Sequence, residues 1–141
     1  MTKMEDMNSA NGTTVVAGAG GFIGGALVAD LRRRGVTSIR AVDVKPFQQW
    51  YQRFDDVENL SLDLNLKENC EAAARGATEV YCLAANMGGM GFIEQNKALC
   101  MLSVLINTHM LQASLNAGVR RYFLNVDSSQ TRESFEYLRR L

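Results

Sequence analysis

The spacing of hydrophobic positions changes several times along the chain, and each change marks an element. Thr13–Ala17 (TTVVA) is a short β-branched run and predicts a buried strand. Five glycines follow at Gly18, Gly20, Gly21, Gly24 and Gly25. Ile23, Ala26, Leu27 and Leu31 then recur at i, i+3, i+4 and i+8, the period of an amphipathic helix. Arg32–Arg34 suit the last turn of that helix, where cations meet the negative end of its dipole, and Gly35 suits its cap. Ser38–Val42 reads as a second strand ending at Asp43, and Asn59–Leu62 as a third ending at Asp63. Between them, residues 45–57 read as irregular and hold the only Pro and the only Trp. Lys67–Arg75 predicts a helix closed by Gly76, and Glu79–Leu83 a fourth strand. Asn86–Phe92 is a Gly/Met loop. A long helix is expected from Ile93 to Ala117, closed by Gly118. Tyr122–Val126 reads as a fifth strand and Gln130–Leu141 as a last short helix.

Strands that alternate with helices predict an α/β fold. Right-handed crossovers then give a doubly wound parallel sheet of order 3-2-1-4-5, Rossmann-like, with helices on both faces. Residues 1–12 are polar and are expected to be a disordered leader. Residues 13–129 form the expected folded domain, and 130–141 a C-terminal tail.

A length of 141 residues is one domain's worth, and 47% hydrophobic residues suffice for a core. Fifteen basic and fifteen acidic residues cancel, which argues against a nucleic-acid clamp or a polybasic membrane binder. The longest apolar runs, such as Ala98–Leu102, are far too short to span a bilayer. Three cysteines (Cys70, Cys82, Cys100) with no CxxC spacing fit free, packed thiols in a reducing, cytoplasmic compartment. A single histidine, His109, builds no His-rich metal site and has no catalytic partner nearby in sequence, so no metal is expected.

The chemistry concentrates at Gly18-Ala19-Gly20-Gly21-Phe22-Ile23-Gly24. A glycine motif gains meaning between a strand and a helix. Here Gly18 would allow the tight turn, Gly21 the approach of a pyrophosphate, and Gly24 close packing of helix on strand. The spacing is G-x-x-G-x-x-G; the generic G-x-G-x-x-G would need glycine where Ile23 stands. Unpaired amides at the helix N-terminus would receive the anion. Asp43 follows Gly24 by 19 residues and stands at a strand end. A carboxylate there accepts hydrogen bonds from adenosine ribose hydroxyls and repels a 2′-phosphate, which favours NAD over NADP. Lys45 works against that preference. Asp63 would lie near the adenine amino group, or is a strand-end turn residue; the spacing does not choose. Trp50 and Tyr51 either cover the adenine or pin their loop.

The glycine turn, Asp43, Asp63 and Leu83-Ala84-Ala85 together resemble the extended short-chain dehydrogenase/reductase superfamily of NAD-dependent epimerases and dehydratases. Asn86-Met87-Gly88-Gly89-Met90-Gly91-Phe92-Ile93 is very similar to one loop of the GDP-mannose 3,5-epimerases, whose pattern A-A-D-M-G-G-M-G-F-I differs only at Asn86. The resemblance covers residues 14–124. It implies NAD as cofactor, held by Gly18, Gly20, Gly21, Phe22, Ile23, Gly24, Asp43, Asp63, Leu83, Ala84 and Ala85. It implies a GDP-sugar substrate against Gly88, Gly89 and Met90. The implied reaction oxidises the sugar at C4, exchanges protons at C3 and C5, and returns the hydride. The loop's own composition suits such a wall, since its glycines admit close approach and its methionines adapt.

After Leu124 the sequence departs. The family continues Ser-Ser-Ala-Cys; here Asn125-Val126-Asp127-Ser128-Ser129 follows, and no cysteine. Ser128 or Ser129 is the candidate for the catalytic serine. The superfamily's Tyr-x-x-x-Lys pair is absent, because none of Tyr51, Tyr81, Tyr122 and Tyr137 has Lys four residues on. The expectation is the cofactor half of such an epimerase, truncated, without its substrate domain and inactive alone. The alternatives are another NAD-dependent sugar-nucleotide epimerase or dehydratase, and a non-catalytic NAD-binding module. The long helix over 93–117 carries more apolar residues than one face needs, which points to a homodimer or to burial by a missing part of the chain.

Overall fold

The computed structural model describes residues 12–84 and 97–124, with side chains throughout except over 97–103. Expectations for the leader, the Gly/Met loop with Gly88, Gly89 and Met90, and Ala85 lie outside the described residues. So do those for Ser128, Ser129, the helix over 130–141 and the side chain of Cys100.

The element order is β1 (Thr13–Ala17), α1 (Phe22–Arg33), β2 (Ile39–Asp43), β3 (Glu58–Ser61), α2 (Lys67–Ala74), β4 (Ala77–Cys82), α3 (Lys97–Asn116) and β5 (Arg121–Leu124). The strands form one sheet of order β3-β2-β1-β4-β5, as expected. Every pairing is parallel.

Strand alternation divides the core in two. Val15, Ala17, Val42, Val80 and Cys82 point to one face, where Cys70, Ala73 and Ala74 of α2 and Ile106, Met110 and Ala113 of α3 cover them. Val16, Ile39 and Ala41 point to the other, under Val28 and Leu31 of α1. On the second face an irregular segment lies beside α1, within the stretch 45–57 that the sequence reading leaves without a helix. The β2–β3 connection holds only a 3-10 turn, Phe47–Gln49, and covers the sheet with Trp50 and Val57 in place of a helix.

Every strand but β1 starts at another residue than the apolar reading gives, β2 one later and β5 one earlier, and the shifts of β3 and β4 have a visible cause. β3 begins at Glu58, one residue early, because Glu58 stands opposite Arg40 of β2 and its carboxylate accepts from Arg40 Nε at 2.8 Å. Arg40 Nη1 also donates to the carbonyls of Ala73 and Arg75, so one cation closes the end of α2. β4 begins at Ala77, two residues early. The register with β1 shifts between Thr13 and Thr14, a bulge that polar Thr78 absorbs.

Candidate functional site

Because the strands are parallel, the segments that follow β1, β2, β3 and β4 meet at one edge of the sheet. This gathers Gly18–Gly24, Asp43, Asp63 and Leu83–Ala84, which the sequence alone spreads over 67 positions. Ligands of open α/β sheets bind at such carboxyl ends.

The glycine turn is tied to the sheet from both sides. The amides of Gly18 and Ala19 donate to the Val42 carbonyl at 2.7 and 3.1 Å, and Gly21 N–H closes the turn onto the Gly18 carbonyl at 3.2 Å. Gly18 has φ +87°, and a Cβ there would lie 2.7 Å from the Leu83 carbonyl carbon. A Cβ on Gly24 would lie 2.1 Å from the Gly18 carbonyl oxygen. These two positions need glycine for the fold itself. Gly21 differs, since among the described residues a Cβ there meets only the Gly18 oxygen, at an ordinary 3.5 Å.

Gly21 is the N-cap of α1 and offers no side-chain cap, and the first turn holds no acid. The first ladder bond runs from Gly25 N–H to the Gly21 carbonyl at 2.9 Å. The amides of Phe22, Ile23 and Gly24 therefore precede the ladder, at the positive end of the helix dipole. The side chains of Phe22 and Ile23 are 69% and 62% exposed, so neither joins a core cluster.

Asp43 ends β2 and is 8% exposed. Its Oδ2 accepts from Gly20 N–H at 2.9 Å and its Oδ1 from Lys45 N–H at 3.0 Å. The carboxylate is thus fixed against the turn, with further lone pairs on each oxygen. The spacing of the motif gives Gly20 no separate task. In the structure a Cβ on Gly20 would approach Asp43 Oδ2 and Trp50 Cδ1, both to 2.9 Å.

Trp50 and Tyr51 take different roles. Trp50 is buried and donates Nε1–H to the Lys45 carbonyl at 2.9 Å, which pins the loop. Tyr51 donates its backbone N–H to the Gly20 carbonyl at 3.1 Å, and its exposed ring meets Phe22 edge-on at 5.7 Å. The one sequence signal is a sole Trp four residues beyond the sole Pro, and spacing does not reveal its partner.

Asp63 Oδ1 accepts from Asn65 N–H and Nδ2 at 3.0 and 2.9 Å, and its carbonyl accepts from Leu66 N–H and Asn69 Nδ2. It shapes the turn into α2. Leu62 N–H donates to the Asp43 carbonyl at 2.9 Å, which keeps the β3 end beside the β2 end. Leu83 N–H donates to the Ala17 carbonyl at 2.8 Å, seating the chain after β4 against the glycine turn.

The two cysteines with described side chains offer no nucleophile here. Cys70 and Cys82 are free and buried. Burial pushes the Cys70 thiol up to about 12 and the Cys82 thiol upward as well. Among the described residues no group of His, Cys, Asp and Glu is placed to hold a metal, and no helix is long and apolar enough to cross a membrane.

The model of the family described as "NAD dependent epimerase/dehydratase family" matches residues 14–134. The chain belongs to that family. Within this epimerase/dehydratase family it is similar to GDP-mannose 3,5-epimerase 1 of Oryza sativa subsp. japonica, 37% identical over 109 residues, 77% of this chain and 29% of that protein. It is 35% identical to the GDP-mannose 3,5-epimerase of Arabidopsis thaliana over the same shares. The chain thus spans less than a third of the length of the curated relatives it matches. Among solved structures, MoeE5 in complex with UDP-glucose and NAD superposes with TM-score 0.70 at 29% identity, over 84% of this chain and 37% of that one. The UDP-glucose 4-epimerase of Thermus thermophilus in complex with NAD gives 0.69 at 26%, over 78% and 36%.

Proposed function

We propose that this chain is the NAD-binding part of a nucleotide-sugar epimerase of the GDP-mannose 3,5-epimerase kind. The observation that carries it is the contrast among the glycines. Side chains at 18 and 24 would strike the protein's own backbone, whereas among the described residues one at 21 would meet only a single carbonyl at contact distance. Glycine at 21 therefore leaves room for something outside the chain, directly in front of uncapped amides that favour an anion.

A dinucleotide fits this arrangement. Gly18, Gly20, Gly21, Phe22, Ile23 and Gly24 form the backbone cradle for the pyrophosphate, and Asp43 keeps lone pairs for the adenosine ribose. Asp63 lies toward the adenine, and Leu83, Ala84 and Ala85 line the cofactor's other side. When bound, NAD supplies a hydride acceptor and donor at the sugar's C4. Gly88, Gly89 and Met90 would face the hexose of a GDP-sugar, and Ser128 or Ser129 would donate to it. The identity to two plant GDP-mannose 3,5-epimerases supports that substrate class. The 141 residues hold no Tyr-x-x-x-Lys pair. A second reading, a uridine-nucleotide sugar, is favoured by the likeness to MoeE5. The compartment of action is the cytoplasm, which suits buried free thiols. Val104, Leu111 and Leu115 on the outer side of α3 are exposed and supply the surface of a homodimer.

Calorimetric titration of the chain with NAD tests the reading. Binding is expected in the wild type. Gly21→Ala should weaken it more than tenfold with an unchanged melting temperature, since the added methyl enters the anion's space. Silence of a folded wild type at millimolar NAD would overturn the proposal. Competition between GDP-mannose and UDP-glucose for the cofactor-loaded chain separates the two substrate readings.

A further inference from the structure

Four hydrogen bonds form a closed circuit around Asp43. Gly20 N–H donates to its Oδ2 and Lys45 N–H to its Oδ1, at 2.9 and 3.0 Å. The Lys45 carbonyl accepts from Trp50 Nε1–H at 2.9 Å. The next residue, Tyr51, donates its N–H to the Gly20 carbonyl at 3.1 Å and returns the circuit to its start. Trp50 is 8% exposed and lies flush on Gly20, where a Cβ would come within 2.9 Å of its Cδ1. Phe47 holds the indole edge-on at 5.2 Å.

Each member constrains the next. The carboxylate cannot rotate without releasing Gly20 or Lys45. Lys45 is held through both its N–H and its C=O, so the root of its cationic side chain is fixed. The indole is the only side-chain donor in the circuit, and it acts at second hand, on the residue beside the carboxylate.

Building on the NAD-binding reading, we propose that Trp50 is a positioning residue that sets the preference for a dinucleotide with a free ribose 2′-hydroxyl over its 2′-phosphorylated counterpart. With the circuit closed, Asp43 presents its remaining lone pairs to a diol and its negative charge to any 2′-phosphate. Lys45, held by its backbone, extends an exposed side chain toward solvent from a fixed origin. Without the Trp50 bond the Lys45 carbonyl keeps the longer bond from Ser61 Oγ, at 3.2 Å, so the segment that aligns the carboxylate and roots the cation loosens.

The test compares the wild type with Trp50→Phe and Asn59→Ala in calorimetric titrations with NAD and with NADP. Phenylalanine keeps most of the packing and loses the N–H. Asn59 Nδ2 donates to the Phe54 and Val57 carbonyls in the same connection but outside the circuit, so its loss loosens the segment alone. Trp50→Phe should weaken NAD by about threefold to tenfold, the range for one lost hydrogen bond, and narrow the preference over NADP by a similar factor. Asn59→Ala should lower the melting temperature and leave the preference in place. In the wild type, the single indole N–H resonance should shift on adding NAD and stay still on adding pyrophosphate, which reaches only the glycine turn. Wild-type affinity and preference in Trp50→Phe would overturn this inference and leave the NAD reading standing, as would an indole resonance unmoved by NAD. A wild type that binds no NAD would remove both.

Discussion

At the scale of single residues, the turn after β1 separates two demands that the sequence presents as one motif. Gly24 answers to packing, since its hydrogen faces the Gly18 carbonyl. Gly24→Ala pushes a methyl into a backbone oxygen that cannot give way, and the expected cost is about 1–3 kcal/mol, read as a drop of several degrees in melting temperature. Gly21→Ala should leave that temperature unchanged, which makes the pair a control for each other. Spacing makes Gly18, Gly21 and Gly24 legible, because a strand–glycine–helix order restricts what such residues do. It does not make Gly20 legible. The reason for Gly20 lies 23 and 30 residues away, in Asp43 and Trp50, and no local pattern carries such a contact. Spacing leaves Asp63 between two roles. Its bonds to Asn65 show that it builds a turn, whatever else it touches.

At the scale of elements, periodicity is a good guide where burial is regular. The helices end at Gly35, Gly76 and Gly118, as the pattern implies, and all three glycines have positive φ. The β2–β3 connection shows where that guide misleads. Its apolar residues Phe47, Trp50, Phe54 and Val57 stand at helix-like 3-4-3 spacing, yet only Phe47–Gln49 form a 3-10 turn and the four pack as an irregular layer. Arg32 and Arg53 lie over the rings of Phe54 and Phe47 and shield its outer side. The apolar excess in α3 is also legible. Ile106, Met110 and Ala113 face the sheet, while Val104, Leu111 and Leu115 form an outward stripe at seven- and four-residue spacing. Leu111→Asp with Leu115→Asp should leave the fold intact and convert a dimer to a monomer in light scattering. An unchanged mass would remove α3 from the interface.

At the scale of the whole molecule, the two faces of the sheet differ in chemistry as well as in cover. The face under α2 and α3 holds the buried thiols of Cys70 and Cys82. Iodoacetamide at pH 8 should modify neither in the native chain and both in urea, as peptide masses would show. Cys70 also predicts the alkaline behaviour. Its pKa rises from 9.0 to about 12 on folding, so the native state holds that proton more tightly. The resulting stability is complete below pH 9 and is lost as the pH climbs toward 12. Denaturant midpoints should fall across that window, and less steeply in Cys70→Ala. The alternation of strands and helices is enough to foresee the sheet order, because handedness leaves few ways to wind it.

The sheet order also has a consequence for biosynthesis. β1 leaves the ribosome before the other strands but ends in the middle, between β2 and β4. A nascent chain that has yet to expose Ala77–Cys82 carries its most apolar strand with one flank open. Such an edge invites pairing with other chains, so chaperone demand should peak in that interval of translation and fall once β4 zips into place.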